Sequence, residues 1–415
     1  MISRVASGVP TSTMAVLMLS VFTVSMGYGV VLPLLPYLIE RLLGTGADAA
    51  QVSRSTGLLT GLYTLSLFVF APAWGHLSDR YGRCIVLLIG LVGFSATMLI
   101  FAFIENLSAV YAERFLSGMF AAAVTPGALA TIGDLATTEE ARARRLTFVS
   151  LAGISGFLLG PMLGVAIARG AASLFSVDGV AGVLAIPLAG TAVLALLVAA
   201  AAAVTIPGRE RPDPTIARSQ RTAGTRAWLV ARLLLLVFLV SVGVGVFEVG
   251  LALRGKQELG LTQYQIALMF TECSFVMFVV QAIVFAPWIK PSTTRWFIAP
   301  ALGIMAVGLF LVPRASDFTL MLAVVAAVAS SAGTLSPILT YWISSNAGKA
   351  RGAELGMQTA SASLGVAAGS AAGGLLFNVS SLPGASFLLA TALTVLGFLL
   401  SLGIPTVLRN RSEAA

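Results

Sequence analysis

The sequence predicts an all-α integral membrane protein, with twelve transmembrane helices arranged as two parallel six-helix pseudo-repeat bundles. Three observations predict it. Hydrophobic residues make up 58% of the 415-residue chain and charged residues only 10%, at a mean hydropathy of +0.96, which leaves too little polar surface to coat a soluble globule. Apolar runs long enough to cross a hydrocarbon core of about 30 Å recur almost from end to end. The second half of the chain also repeats, in register, patterns found in the first.

The apolar runs fall at 13–39, 51–77, 84–104, 107–135, 143–169, 178–205, 227–254, 262–288, 295–312, 316–345, 352–378 and 382–408. The run from Thr13 is too long for a secretory signal and continues through Pro33 and Pro36, so the first span is expected to stay in place. The one long polar stretch, "IPGRERPDPTIARSQRTAGTRAW" at 206–228, divides the spans six and six. The expected organisation is an N-terminal bundle over 1–205, a linker over 206–226 and a C-terminal bundle over 227–415.

A net charge of +8 and a pI near 10.0 would suggest nucleic acid as a partner of a soluble protein, but here the basic residues alternate from loop to loop. Seventeen fall on one side, among them Arg80, Arg83, Arg142, Arg144, Arg145 and the linker arginines, against six on the other: Arg41, Arg54, Arg169, Arg254, Lys256 and Arg314. That asymmetry orients a membrane protein with both termini in the cytoplasm. Only three lysines, beside abundant Ala and Arg, suggest a GC-rich bacterium and hence its inner (plasma) membrane. Cys84 and Cys273 support neither a disulfide framework nor a metal site. No phosphate-binding G-x-x-x-x-G-K-[ST] loop and no H-E-x-x-H pair is present, so neither an enzyme nor an ATP-driven pump is expected, and no cofactor.

The internal repeat is read by laying "EARARRLTFVSLAGISGFLLGPMLG" from Glu140 on the segment from Lys349. Arg142 then meets Arg351, Gly156 meets Gly365, Gly160 meets Gly369 and Gly164 meets Gly373. A second overlay sets "MGYG" at 26–29 on "VGVG" at 242–245. Parallel halves of this kind are a known solution for secondary transporters, whose substrate site lies near the membrane midplane.

The loop between spans 2 and 3 reads "GHLSDRYGR". It resembles the signature loop of the major facilitator superfamily, with Gly75, Leu77, Asp79, Arg80, Gly82 and Arg83 at the family's spacing. The resemblance implies a latch that closes the cytoplasmic side, to which Asp134 and Arg142 are placed to contribute. The second-half counterpart, "APWIKPSTTRW", keeps only a basic remnant such as Arg295. In span 5, Gly156, Gly160, Pro161 and Gly164 form a small-residue face suited to close helix packing. The same pattern resembles the motif of exporters that work as antiporters, with Val165 in place of its final Gly. In span 1, Gly27, Gly29, Pro33 and Pro36 resemble the matching motif of twelve-span drug/proton antiporters.

Ionisable residues inside spans are costly and usually functional. Glu248 in span 7, Glu272 in span 8 and Arg114 in span 4 qualify. A carboxyl group in apolar surroundings can hold a proton and release it when its surroundings change. Arg114 and Gly118 resemble the superfamily's proton-coupling motif, with Ser117 replacing the usual Gln; the competing reading is that Arg114 pairs with Glu113. Proton coupling is accordingly assigned to Glu248, Arg114 and Glu272. Tyr28, Tyr63, Phe247, Met269 and Gln281 are candidate cavity residues by their helix assignment alone.

The resemblance implies a proton-coupled, alternating-access exporter of small amphiphilic compounds, drugs or toxic metabolites. It is expected to act as a monomer on a small-molecule substrate and protons within a lipid bilayer. A proton-coupled importer of a small polar metabolite and a non-transporting membrane receptor remain as alternatives.

Overall fold

The computed structural model describes residues 10–44, 46–135, 139–175, 180–206, 225–284, 289, 291–346 and 351–404. Among them are twelve α-helices, each overlapping one expected span: α1 Thr11–Leu43, α2 Ala49–Tyr81, α3 Arg83–Ala102, α4 Leu107–Leu135, α5 Glu139–Phe175, α6 Val180–Thr205, α7 Thr225–Gln257, α8 Gln263–Val284, α9 Ile298–Leu311, α10 Phe318–Asn346, α11 Arg351–Leu375 and α12 Ala385–Ser401. Ten of these are long and apolar enough to cross a membrane. The remaining two are α12, apolar but 17 residues long, and α11, whose Gly, Ser and Gln residues dilute its hydropathy.

Several bounds differ from the sequence expectation for local reasons. The helix α2 runs past Pro72 to Tyr81 and stops only at Gly82, where φ of 105° and ψ of 146° occupy a region essentially closed to side-chain-bearing residues. A single residue thereby separates α2 from α3. The ninth span is a 3-10 segment, Pro291–Phe297, followed by α9 proper and a second 3-10 turn, Val312–Arg314. The helix α12 begins after Pro383 and left-handed Gly384 (φ 73°). It ends at Ser401, with a turn at Leu402 and Gly403; the expected end at 408 lies outside the described residues.

Prolines at 33, 36, 72, 126, 161, 187 and 337 sit inside helices, as membrane helices tolerate when neighbours re-satisfy the freed backbone groups. Many hydroxyl side chains in the spans bond back to their own helices, while Ser66 and Ser95 reach the Phe115 and Ala192 carbonyls of neighbouring helices. In α2, Thr56 donates to the Val52 carbonyl (2.8 Å), Thr60 to Thr56 (2.9 Å) and Thr64 to Thr60 (3.2 Å). Such back-bonding removes the cost of carrying a hydroxyl through hydrocarbon.

The chain packs as two compact units, Met1–Val31 with Ser66–Pro214 and Leu32–Leu65 with Thr215–Ala415. In the first unit α3 packs against α4 and α6. In the second α7 lies against α11 and α12, α8 against α10, and α9 against α10 and α12. The later part of α1 and the first half of α2 belong to the second unit by packing, although their sequence lies in the first half.

The sequence repeat reappears as repeated atomic contact. In the first unit, α5 meets α1 with almost no side chain between: a Cβ at Gly160 would stand 2.6 Å from the Met26 carbonyl oxygen, and one at Gly29 would stand 3.0 Å from that of Phe157. In the second unit, α11 meets α7 likewise. There a Cβ at Gly365 would stand 2.6 Å from the Phe238 carbonyl oxygen, one at Gly369 2.9 Å from the Val242 carbonyl carbon, and one at Gly245 2.5 Å from the Val366 oxygen. The overlays that pair Gly160 with Gly369 and Met26 with Val242 also pair Gly29 with Gly245 and Phe157 with Val366. The two crossings use equivalent residues.

Candidate functional site

The loop at 75–83 is built by the end of α2. Asp79 and Arg83, one turn apart, form an ion pair at 2.6 Å, and Arg83 also donates to Ser78 Oγ at 3.1 Å. Arg80 lies beside the Tyr81 ring, 5.4 Å from its centroid. The surface at Gly75 is open. Trp74, just before the loop, donates its indole N–H to the Met119 carbonyl (2.7 Å) and so fixes α2 to α4. Of the other residues assigned to the latch, the side chains of Asp134 and Arg142 lie outside those described.

In α4, Glu113 and Arg114 form a bidentate pair, Arg114 Nε to Glu113 Oε2 at 2.6 Å and Nη2 to Oε1 at 2.8 Å. Both side chains are only 2% exposed. Consecutive helical residues do not ordinarily face one another. Here the guanidinium is held against the Phe101 ring of α3, 4.3 Å from its centroid, and the carboxylate turns back to meet it. Two charges removed from water in this way are mutually dependent. The pairing with Glu113 that the sequence offered for Arg114 is present.

The acids of the second unit are less enclosed. Glu248 of α7 and Glu272 of α8 are both half-buried, on two helices that pack against each other in the second unit. The Glu272 Oε2 atom is buried with no hydrogen-bond partner among the described residues. Phe247 is buried beside Glu248. Met269 is fully buried, with its Cε 3.3 Å from where a Cβ of Gly255 would stand, and so fills the contact between α7 and α8. Tyr63 is buried, and Gln281 half-buried. In the first unit the Tyr28 ring stacks on Phe157, with centroids 5.8 Å apart. On α5, Gly156, Gly160 and Gly164 face α1, and Pro161 lies against Gly29.

A polar cluster that the sequence reading did not single out ties the ends of α1 and α2 to α7 and α11 inside the second unit. Lys256 pairs with Glu40, donates to the Pro36 carbonyl at 2.8 Å and lies 4.6 Å from the Tyr37 ring centroid. The Tyr37 hydroxyl donates to the Leu261 carbonyl at 2.6 Å. The Gln257 amide donates to Ser53 Oγ (3.1 Å), and the Asn378 amide donates to both Ser53 Oγ (2.8 Å) and Gln257 Oε1 (3.0 Å). Beneath this cluster Gly57 and Gly374 meet backbone to backbone, a Cβ on Gly57 standing 2.6 Å from the Gly374 Cα. One signal could have found the cluster: the overlay of 26–29 on 242–245, continued along the helices, sets Glu40 on Lys256, opposite charges at equivalent positions.

A family model described as Major Facilitator Superfamily matches residues 17–291 of this chain. The chain belongs to the major facilitator superfamily. Among curated superfamily proteins, Multidrug resistance protein 1 of Bacillus subtilis (strain 168) is 27% identical over 375 residues, covering 88% of this chain and 90% of that protein. Quinolone resistance protein NorA of Staphylococcus aureus (strain COL) is 27% identical over 365 residues, covering 88% and 89%. Among solved structures, the human organic anion transporter MFSD10 (TETRAN) matches with a TM-score of 0.71 at 21% identity, over 94% of this chain and 99% of that one. A D-xylose-proton symporter matches with a TM-score of 0.75 at 18% identity, over 94% and 97%. These likenesses carry the superfamily fold, and with ten helices suited to cross a bilayer the chain is a multi-pass membrane protein.

Proposed function

We propose that this chain exports small amphiphilic compounds, drugs or toxic metabolites among them, in exchange for protons by alternating access. The observation that carries the reading is the pair of half-buried carboxyl groups, Glu248 and Glu272, inside the two neighbouring spans α7 and α8, one with a buried oxygen that has no hydrogen-bond partner among the described residues. Ionisable groups at such depth are expensive and mark proton or substrate paths. The resistance functions named for the Bacillus and Staphylococcus relatives, which align over 88% of the chain, give the direction of transport and the class of substrate.

In this mechanism Glu248 takes the proton from outside and gives it up inside as substrate binds, with Glu272 and the Arg114 pair shaping the exchange. One proton moving down about 100 mV supplies roughly 2.3 kcal/mol, enough for a substrate gradient on the order of 50-fold. The halves 1–205 and 227–415, joined by 206–226, act as the rocking bodies, and the Asp79–Arg83 loop with Asp134 and Arg142 closes the cytoplasmic side. Tyr28, Tyr63, Phe247, Met269 and Gln281 contribute to the substrate path. Both termini lie in the cytoplasm, and the protein works as a monomer in a bacterial inner membrane.

The test is proton flux in proteoliposomes carrying an internal pH-sensitive dye and a sustained pH gradient, with cationic, neutral and anionic lipophilic compounds added singly. Substrate-dependent collapse of the gradient is expected for wild type and at least a tenfold loss for Glu248→Gln, with substrate binding retained. A Glu248→Gln protein that still concentrates substrate against its gradient removes Glu248 from the coupling role. Proton entry in the same direction as substrate would make the protein an importer.

A further inference from the structure

The C-terminal end of α7 presents polar groups on two sides. Lys256 meets α1, and Gln257 meets α2 and Asn378 beyond the end of α11. Arg254 and Glu258 face the 3-10 turn Val312–Arg314 and the α11–α12 connection, where with Arg314, Phe377, Phe387 and Leu388 they line a cavity of about 300 Å³. The cavity lies wholly within the second unit, and neither Glu248 nor Glu272 lines it.

Arg254 is 7% exposed. Its guanidinium donates to the Ala315 carbonyl at 2.7 Å and pairs with Glu258, yet Nε is buried with no hydrogen-bond partner among the described residues. That Nε is closed off from the cavity, so what Arg254 offers a ligand there is its charge and the second N–H of each Nη, beyond those given to Ala315 and Glu258. Arg314 is held flat on the Phe310 ring, 3.8 Å from its centroid, and donates to the Phe310 carbonyl at 2.6 Å. That bond uses one of five donors on an exposed side chain. Two guanidiniums against one carboxylate leave the lining with a net positive charge, at the helix ends where headgroups lie.

The rest of the lining is apolar. Phe387 is wedged against α7, its Cε1 2.8 Å from where a Cβ of Gly250 would stand. Beside the cavity along the chain, Phe310, Leu311 and Leu389 are exposed. A bare anion would meet the arginines but leave these walls unfilled, whereas a phosphate carried on a glyceryl and acyl body satisfies both.

We infer that this cavity binds the phosphate of an anionic amphiphile through Arg254 and Arg314, with the headgroup of an anionic phospholipid as its natural source. It is a lipid site on the side of α7 away from α1, distinct from the transport path.

The full chain, purified in detergent, is titrated with dihexanoylphosphatidylglycerol, dihexanoylphosphatidylcholine or inorganic phosphate while thermal unfolding is followed. Ligand that binds only the folded protein raises Tm in a saturable manner. Phosphatidylglycerol is expected to raise Tm by a few degrees in wild type, phosphatidylcholine much less, and the rise is expected to vanish in Arg314→Ala, which removes an exposed side chain, and in Leu388→Trp, which fills the cavity. An equal, Arg314-dependent rise with inorganic phosphate would keep the phosphate site but make its source a soluble anion. No rise with either, equal rises with both lipids, or a rise that survives both substitutions would overturn the proposal.

Discussion

Glu113 and Arg114 show how one side chain can decide the state of another. Each is 2% exposed and each supplies the other's counter-charge. Removing one partner of a buried pair leaves an uncompensated charge, at a cost of about 3–5 kcal/mol, while exchanging both for apolar residues of similar size is often near neutral. Glu113→Gln is therefore expected to lower Tm sharply, and Glu113→Leu with Arg114→Met to recover most of the loss. Thermal unfolding of the purified variants checks this, and equal stability of Glu113→Gln and wild type would mean that the pair is not buried in the working protein. The sequence placed both residues in span 4 and named Glu113 as a possible partner. It did not contain the Phe101 ring that holds the guanidinium, because that contact depends on how α3 packs on α4.

At the scale of elements, the α1·α5 and α7·α11 crossings are set by backbone contact at glycines. The allowed substitutions are graded by distance. A Cβ at Gly160 would stand 2.6 Å from the Met26 carbonyl oxygen, which cannot yield without moving a helix, whereas one at Gly164 would meet Val30 Cγ1 at 3.2 Å, a side-chain atom that can give. Gly160→Ala is expected to reduce the yield of monodisperse protein severely and Gly164→Ala only mildly. Gly369→Ala should match the first and Gly373→Ala, facing Val246 Cα at 3.2 Å, should fall between. Size-exclusion profiles of the four variants test the ranking. The glycine positions were fully legible, since a repeat in register needs no structure. Their partners on α1 and α7 came from the structure, because a small-residue face says that a backbone approaches but not which one.

At the scale of the whole molecule, alternating access changes how helices pack, and the Lys256–Glu40 contact, which ties α1 to α7 within the second unit, is a place to test it. The Lys256–Glu40 pair is individually modest, since Glu40 is 56% exposed. With the bond to the Pro36 carbonyl it contributes on the order of 1–2 kcal/mol, a factor of roughly 5–30 in a two-state population. Lys256→Glu is expected to raise the rate at which a maleimide labels a cysteine placed at Ser53 in the purified protein. The exchange Lys256→Glu with Glu40→Lys should return it towards the wild-type level. Labelling unchanged in all forms would show that the pair does not bias the equilibrium. A larger effect is expected from Gly57→Val, which cannot close on Gly374.

Hydropathy, loop charge and the glycine register are local or periodic properties, and by themselves they determined that this protein crosses the membrane, how many helices it has, that its halves are copies and that it resembles the major facilitator superfamily. Only the tertiary structure decided which residues far apart in sequence meet. It set Arg114 against Phe101, joined Ser53, Gln257 and Asn378 in one cluster, and brought Arg254 and Arg314 to the lining of one cavity. Those meetings depend on helix rotation and crossing, which a pattern of apolar residues leaves free because every face of a membrane helix can be apolar.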